Sequence, residues 1–266
     1  MKIAFIGGGV MGEAMIRGIL GKGLTTPQGI MANDISAARL SSLEKAYGVG
    51  VTGDYGIAVE GADVIVIAIK PQNLAGLMPK LHGHLTHGQL ALSIVAGAAI
   101  ATITGGLGHR SVIRAMPNTP AQIGEGMSVW TSSREVSQRQ KEIARSILGA
   151  LGREIYVPDE KYIDMATAVS GSGPAYIFLV IEALVDAAMH IGLPHEMAEE
   201  LVLETVVGAS LLAKETGKPP KELRDMVTSP GGTTEQAILK LEDGGLRDLL
   251  LRAVIAAHEK AKALSR

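Results

Sequence analysis

The sequence predicts an α/β fold in which a doubly wound parallel sheet is followed by an all-helical region. Short apolar strands alternate with helical segments through residue 158, as a sheet covered by helices on both faces requires. From Asp159 onward the strand-like runs stop, and long segments rich in Ala, Leu and Glu follow. We therefore predict two domains, residues 1–158 and residues 159–266.

The first domain contains seven apolar runs of strand length. They are Lys2–Ile6, Ile30–Ala32, Asp63–Ile69, Leu90–Ala96, Ser111–Met116, Met127–Thr131 and Glu154–Val157. Residues 64–69 are continuously apolar, which is typical of a parallel strand buried on both faces. The helical patterns between the strands lie near Met11–Leu20, Ala37–Tyr47, Asn73–Leu81 and Arg134–Leu151.

Four helices are predicted in the second domain. They cover Ala175–Ile191, His195–Thr216, Pro219–Val227 and Thr234–Leu264. Gly192 followed by Pro194 marks the end of one helix and the start of the next. These helices are apolar over much of their surface, and a domain of ~100 residues has little room to bury that surface internally. We therefore predict a dimer that exchanges helices.

Composition argues against several classes of function. The chain has 25 Lys and Arg against 27 Asp and Glu, with no basic run to bind nucleic acid or an anionic membrane. It contains no cysteine, which excludes disulfides and thiolate chemistry and indicates a cytoplasmic protein. Residues 175–193 form the longest apolar stretch, but Glu182, Asp186 and His190 give it one polar stripe, so we predict a buried helix and no membrane span.

Three histidines, His82, His84 and His87, are spaced as metal ligands can be. They lie in a polar, glycine-containing segment between a helix and a strand, with no acidic residue nearby to orient them. We predict a solvated loop there and no metal site.

A glycine-rich loop follows the first strand and opens a helix. Gly7-Gly8-Gly9-Val10-Met11-Gly12 has the G-x-G-x-x-G spacing, in the strand–loop–helix context that makes this motif informative. Gly7 permits a tight turn, Gly9 lets the backbone approach a pyrophosphate, and Gly12 lets the helix pack on the strand. The motif predicts a bound dinucleotide and does not indicate the reaction.

The end of the second strand bears on the choice between NADH and NADPH. The sequence there is Asn33-Asp34-Ile35-Ser36, with Arg39 one turn later. An acid at this place binds a ribose 2′-hydroxyl, which favours NADH, whereas an arginine accepts a 2′-phosphate. Both cofactors stay open, and so does a purely helix-capping role for Asp34 or Ser36.

Three further segments have the composition of binding loops. They are Ala68–Pro71, Ser170–Tyr176 and Ser229–Thr234. In the last, two glycines precede Thr233 and Thr234 at the start of a helix, where exposed amides and hydroxyls would suit a carboxylate. An ordinary capped helix is the alternative, because Thr233 and Gln236 have capping-box spacing.

Five motifs in order resemble those of the pyrroline-5-carboxylate reductase family. They are Gly7-x-Gly9-x-x-Gly12, Ala68-x-Lys70-Pro71, Arg114-Ala-Met-Pro-Asn-Thr-Pro120, Ser170-Gly-Ser-Gly-Pro-Ala-Tyr176 and Ser229-Pro-Gly-Gly-Thr-Thr234. The resemblance implies a Rossmann-type domain and a helical dimerisation domain, as in 6-phosphogluconate-dehydrogenase-like folds. It also implies reduction of 1-pyrroline-5-carboxylate to L-proline by NADPH or NADH, the final step of proline biosynthesis, by a homodimer that relatives often assemble into a ring.

The same resemblance assigns the site residues. The cofactor would contact Ile6, Gly7, Gly8, Gly9, Val10, Met11, Gly12, Asp34, Ser36, Ala68, Ile69, Lys70, Pro71, Ala96, Gly97 and Ala98. The substrate would contact Glu160, Ser172, Gly231, Gly232, Thr233 and Thr234. The chain departs from the family at Tyr55, where many relatives have Asn, and at Asp34, where Arg or Ser is frequent; both bear on cofactor preference.

The expected reaction needs few catalytic side chains, since the cofactor supplies the hydride. Thr234 is the candidate catalytic residue, holding the ring nitrogen or relaying a proton to it from water. Glu160 would favour the protonated imine electrostatically, unless it is only a solvated residue at the domain joint. The alternatives are a reductase of another imine or of a small hydroxy acid, or a dinucleotide-sensing protein without turnover.

Overall fold

A computed structural model describes residues 1–265 of the chain. By its internal contacts the chain divides into two compact units. The first unit comprises Met1–Ser172 and Ala256–Arg266, and the second comprises Gly173–Ile255. The domain boundary at residues 158 and 159 rests on composition and stays a prediction.

The first unit contains one eight-stranded sheet with the strand order β3-β2-β1-β4-β5-β6-β7-β8. The strands are β1 Ile3–Ile6, β2 Ile30–Asn33, β3 Gly50–Thr52, β4 Val64–Ile67, β5 Leu90–Ser93, β6 Val112–Met116, β7 Gly126–Ser132 and β8 Gly152–Tyr156. The predicted doubly wound sheet is confirmed, with one correction. β7 pairs antiparallel with β6, because residues 117–125 are too short for the crossover that a parallel pair needs.

Helices cover both faces of this sheet. They are α1 Val10–Gly21, α2 Ala37–Tyr47, α3 Tyr55–Val59, α4 Leu74–Leu81, α5 Ile100–Leu107, α6 Gln138–Gly149 and α7 Lys161–Ala166. Alternate residues of β1 enter opposite cores: Phe5 packs in the cluster that contains Met15, whereas Ile6 packs in the cluster that contains Leu77. A strand buried on both faces therefore leads directly into the glycine-rich loop.

Four short strands and helices were absent from the sequence prediction: β3, α3, α5 and α7. β3 has three residues and α3 has five, which is too short for a periodic pattern to be recognised. α5 contains β-branched residues and two glycines, which are poor helix formers. Its packing against the sheet through Ile103 and Leu107 outweighs that low propensity.

The second unit is all-helical, as predicted. Its helices are α8 Gly173–His190, α9 His195–Thr216, α10 Pro220–Met226, α11 Thr233–Asp243 and the first part of α12 Leu246–Leu264. The prediction of one helix over Thr234–Leu264 is wrong. The chain breaks at Gly244 and Gly245, and Gly245 adopts a φ of 73° that ends α11.

The helices of the second unit leave their apolar side chains uncovered within one chain. Ala198 and Val202 are the buried residues between Gly173 and Ile255, whereas Phe178 and Leu179 are 61% and 65% exposed. Apolar surface of this extent marks an interaction surface. By length and composition alone, the helical stretch Lys161–His190 is long and apolar enough to cross a membrane. One such helix is weak evidence for a membrane span.

The histidines His82, His84 and His87 do not form a metal site in the described part of the chain. No group of three His, Asp or Glu side chains able to hold an ion occurs among residues 1–265. His82 instead places Nδ1 at 3.0 Å from the carbonyl oxygen of Gly106, next to the end of α5.

Candidate active site

A cleft of about 550 Å³ opens at the carboxyl ends of β1, β2 and β4. The strand order reverses between β1 and β4, and ligands of open α/β sheets bind at such a reversal. The cleft is lined by Ile6, Gly7, Gly9, Asn33, Asp34, Ile35, Tyr55, Ala68, Ile69, Lys70, Gln72, Asn73, Gly76, Leu77 and Lys80. The structure therefore brings the predicted glycine loop, the end of β2 and the segment after β4 to one site.

The three motif glycines meet different demands. Gly7 has a φ of 102°, and a Cβ there would lie 2.5 Å from the carbonyl oxygen of Ala68. A Cβ on Gly12 would lie 2.5 Å from the carbonyl oxygen of Gly7, so packing alone requires both glycines. A Cβ on Gly9 would meet no atom of the protein within 4 Å. Protein packing does not require a glycine at that position, whereas the close approach of a pyrophosphate does.

The start of α1 is equipped to receive an anion. Gly9 is the N-cap residue and has no side chain, so no side chain accepts from the first amides of the helix. Those amides and the helix dipole favour a phosphate group. The loop therefore fits the dinucleotide that the motif predicts, with Val10 and Met11 in the first turn of the helix.

Asp34 follows β2 and contacts the glycine loop directly. Its Oδ2 accepts a hydrogen bond of 2.8 Å from the amide of Gly8, and its Oδ1 accepts one of 2.9 Å from the amide of Ser36. Ser36 is the N-cap of α2, where its hydroxyl accepts from the amide of Arg39 at 3.3 Å. The capping role that the sequence left open for Ser36 is therefore present in the structure.

Arg39 binds beneath the glycine loop and does not line the cleft. Its guanidinium donates to the carbonyl oxygen of Gly8 and to the carboxylate of Glu13. Glu13 also accepts a hydrogen bond of 2.8 Å from the hydroxyl of Tyr47. The hydrogen bond from Arg39 lowers the pKa of Glu13 against the opposing effect of burial, whereas burial raises the pKa of Tyr47.

The remaining cofactor predictions divide between two places. Ala68, Ile69 and Lys70 line the cleft, and Pro71 begins the short 3₁₀ turn Pro71–Asn73 that leads into α4. Ala96, Gly97 and Ala98 follow β5 outside the cleft lining. A Cβ on Gly97 would lie 2.5 Å from the Cβ of Leu264, at the end of α12.

Several residues of the cleft were missed by the sequence analysis. They are Gln72, Asn73, Gly76, Leu77 and Lys80. All five lie on the 3₁₀ turn and on α4, directly after β4. The rule that ligands bind beyond the carboxyl ends of the strands at the reversal could have identified this segment.

Glu160 belongs to a network around a buried arginine. Arg114 has a side chain only 2% exposed and donates to Oε1 of Glu160 at 2.9 Å and to Oδ1 of Asp164 at 2.7 Å. The hydroxyl of Ser265 lies 3.1 Å from Arg114 and donates to Asp164 at 2.8 Å. The amide of Ile100 also donates to Glu160, at 2.8 Å. Glu160 is therefore held in place at the start of α5, and the alternative of a merely solvated residue is wrong.

The motif that begins with Arg114 also holds the segment before Ser172. Asn118 donates through Nδ2 to the carbonyl oxygen of Ser170 at 3.0 Å and accepts from the amide of Met127 at 2.8 Å. The chain forms a π-helical turn over Thr167–Gly171, which Ser172 closes with a hydrogen bond of 2.8 Å to Thr167. Asn118 thus fixes this loop to β7.

The loop before α11 places two glycines and two threonines at the start of a helix. Gly232 is the N-cap, and no side chain caps the helix. The capping box expected between Thr233 and Gln236 does not form, because the helix begins at Thr233 itself. The amide of Gly231 donates to the carboxylate of Glu235 at 2.8 Å. Thr233 and Thr234 therefore occupy the first turn, where helix amides lack partners within the helix.

Comparison with known proteins decides the family. Over its whole length the chain is 40% identical to a pyrroline-5-carboxylate reductase of Methanosarcina acetivorans, covering 98% of that protein. A pyrroline-5-carboxylate reductase of Synechocystis is 39% identical over the whole chain and 99% of the relative. The chain belongs to the pyrroline-5-carboxylate reductase family. Residues 160–264 match the family described as pyrroline-5-carboxylate reductase dimerisation, so this member carries a dimerisation domain.

The fold of this family member is also similar to that of solved pyrroline-5-carboxylate reductases. The enzyme of Coxiella burnetii superposes with a TM-score of 0.91 at 40% identity, covering the whole chain and 98% of that structure. A Plasmodium falciparum relative with NADP bound gives 0.91 at 30% identity, with the same coverage. Residues 2–97 match the family described as NADP oxidoreductase, coenzyme F420-dependent. A prephenate dehydrogenase of Aquifex aeolicus, at 12% identity and a TM-score of 0.55, shares the fold alone.

Proposed function

We propose that this chain reduces 1-pyrroline-5-carboxylate to L-proline with NADPH or NADH, the final step of proline biosynthesis. The observation that carries the proposal is identity of about 40% to reductases of that name over the whole chain and 98–99% of the relatives' length. The cleft at the strand reversal supports it independently, because its glycine loop leaves open space at Gly9 for a dinucleotide.

The residues after the strands would hold the cofactor. The first amides of α1 bind the pyrophosphate, Asp34 faces the adenosine ribose, and the segment from Ala68 to Pro71 orients the other end. The loop of residues 96–98 would also contact the cofactor. When bound, the nicotinamide supplies the hydride, so the protein has to orient the imine and manage its charge.

The start of α11 would hold the substrate carboxylate. The amides of Gly232, Thr233 and Thr234 lie at a helix N-terminus, which favours a carboxylate. Gly231 shapes the turn before them, and Ser172 adds a hydroxyl from its own loop. Both bonds to Glu160 reach Oε1, which leaves Oε2 as the oxygen that favours a protonated imine.

Thr234 is proposed to hold the ring nitrogen or to relay a proton to it. We expect Thr234→Ala to lower kcat by more than ~10-fold, as positioned acid–base groups do, with cofactor binding unchanged. Steady-state rates and cofactor titration measure the two effects, and Thr234→Ser should retain most of the turnover. Thr216→Ala is the matched control, because that exposed hydroxyl bonds the carbonyl oxygen of Leu212 and the amide of Lys218 at the end of α9. A kcat unchanged from wild type would remove Thr234 from the mechanism.

The reaction itself is tested by mixing the protein with 1-pyrroline-5-carboxylate and following absorbance at the nicotinamide band, with NADPH and NADH in parallel. Oxidation of either cofactor together with formation of proline supports the proposal. Cofactor binding without oxidation would favour a different imine or hydroxy acid, or a sensing role. The cytoplasm, inferred from the cysteine-free composition, stays the proposed compartment, and cell fractionation tests it.

The dimerisation domain is proposed to form a homodimer in which a second copy covers the apolar helices of the second unit. Assembly of such dimers into a ring is the larger form proposed. We expect light scattering to give at least twice the chain mass of 27.7 kDa at every concentration where the protein remains folded. A folded, active species of one chain mass would contradict the proposal.

A further inference from the structure

Four polar residues near the end of β2 could decide between NADH and NADPH. Asn33 and Asp34 line the cleft, whereas Ser36 and Arg39 do not. Asn33 is 2% exposed, and its amide group donates to the carbonyl oxygen of Thr52 at 3.0 Å. Its side chain is therefore committed to the sheet, and Asp34 is the remaining one of the four that lines the cleft.

The two side chains that could donate to a 2′-phosphate already have partners within the protein. The hydroxyl of Ser36 caps α2 by accepting from the amide of Arg39. The guanidinium of Arg39 donates to the carbonyl oxygen of Gly8 and forms an ion pair with Glu13. The side chains of Arg39 and Glu13 are 27% and 31% exposed, respectively. The sequence analysis left open that Arg39 binds a 2′-phosphate. In the structure its positive charge is instead paired with the carboxylate of Glu13.

Asp34 itself supplies the negative charge at this corner of the cleft. The amides of Gly8 and Ser36 hold its two carboxylate oxygens in a fixed orientation. The Ser36 amide stands at the start of α2, a position where a bound anion would otherwise accept hydrogen bonds. A phosphate carries a charge of about −1.5 to −2 at neutral pH, so at this position it would meet the like charge of Asp34, while the charge of Arg39 is paired with Glu13.

We propose that this chain uses NADH in preference to NADPH, with Asp34 as the residue that sets the preference and Glu13 as a positioning residue that holds Arg39 away from the ribose. This inference rests on the proposed function, because it concerns the cofactor of that same reaction. A carboxylate at the end of the second strand accepts from a ribose 2′-hydroxyl and repels a 2′-phosphate.

Two lysines line the cleft and are the cations that could oppose this preference. Both follow β4: Lys70 precedes the 3₁₀ turn, and Lys80 lies in α4. The ammonium of Lys80 lies 5.5 Å from the ring centroid of Tyr55, a cation–π distance. Lys80→Ala therefore belongs in the test as the rival cation.

The first measurement is cofactor binding without any imine, followed by nicotinamide fluorescence. We expect the Kd of NADH to be at least about 10-fold below that of NADPH, a modest difference for a like-charge contact. Equal affinities for the two cofactors, or tighter binding of NADPH, would overturn the proposal. If Lys80→Ala then removed the tighter NADPH binding, Lys80 would be the cation that binds the 2′-phosphate. Because no substrate is present, this result is independent of whether 1-pyrroline-5-carboxylate is the substrate.

Variants then locate the preference. Asp34→Ser should narrow the ratio of the two Kd values by about 10-fold, mainly through tighter NADPH binding. Glu13→Gln releases Arg39 and should improve NADPH binding further in the Asp34→Ser background, with NADH binding changed less than twofold. Glu44→Gln on exposed α2 makes the same charge change away from the cleft and should leave the ratio unchanged. An unchanged ratio in Asp34→Ser with an unchanged melting temperature would refute the assignment.

Discussion

Replacing Arg114 with Met lowers the free energy of unfolding by about 3–5 kcal/mol, because removing one member of a buried ion pair leaves its partner without a counter-charge. Asp164 accounts for most of that loss, since its side chain is 13% exposed while that of Glu160 is 33% exposed. Urea denaturation at one fixed protein concentration measures the change. The melting temperature should fall in parallel.

The control for Arg114→Met is Arg145→Met. Arg145 is 59% exposed and pairs with Glu154 at 3.3 Å, so its loss should change stability by less than about 0.5–1 kcal/mol. Neutralising the partners as well, in the triple variant with Glu160→Gln and Asp164→Asn, should recover part of the loss. Equal stabilities of Arg114→Met and Arg145→Met would show that the buried network adds nothing to the fold.

Replacing Gly9 with Ala weakens cofactor binding by about 100-fold and leaves the stability of the protein unchanged. The added methyl group meets no protein atom within 4 Å, so the free protein has room for it. In the complex it occupies the space of the pyrophosphate, and forcing an extra methylene-sized group into a packed contact costs about 1–3 kcal/mol, or roughly 5- to 150-fold in affinity. Fluorescence titration and thermal unfolding measure the two quantities separately.

Two other glycines, one far from the loop and one within it, serve as comparisons for this result. Gly21→Ala, at the end of α1, also meets no atom within 4 Å but lies far from the loop, and it should bind cofactor as wild type does. Gly7→Ala should destabilise the free protein, because it combines a φ of 102° with a contact at 2.5 Å. Cofactor affinity unchanged in Gly9→Ala would mean that the dinucleotide does not approach this loop.

Much of the sheet could be predicted from the sequence because its strands are apolar on both faces. The helices next to them also show a clear periodicity of apolar residues. The direction of β7 was missed, although the connection of residues 117–125 after β6 is too short for a parallel crossover. The break between α11 and α12 was also missed, because Gly244 and Gly245 lie inside a continuous helical pattern. A glycine pair there was a signal that the helix ends.

The cofactor loop was predictable because its chemistry lies in consecutive residues. Networks that join distant parts of the chain were not: Arg39 and Glu13 are 26 residues apart, and Arg114 and Ser265 are 151 apart. Such pairs depend on the tertiary fold and leave no periodic pattern. This explains why Glu160 was identified as a site residue while the arginine that fixes it was not.

The scarcity of buried residues between Gly173 and Ile255 has a kinetic consequence. A helical unit that buries little within one chain gains most of its apolar burial when a second chain arrives. Its final folding step is then bimolecular, and its rate should rise with chain concentration, in contrast to the first unit, which contains its own core. Newly made chains would therefore mature fastest where several are synthesised side by side, and dilute chains would wait with their helices open to proteases.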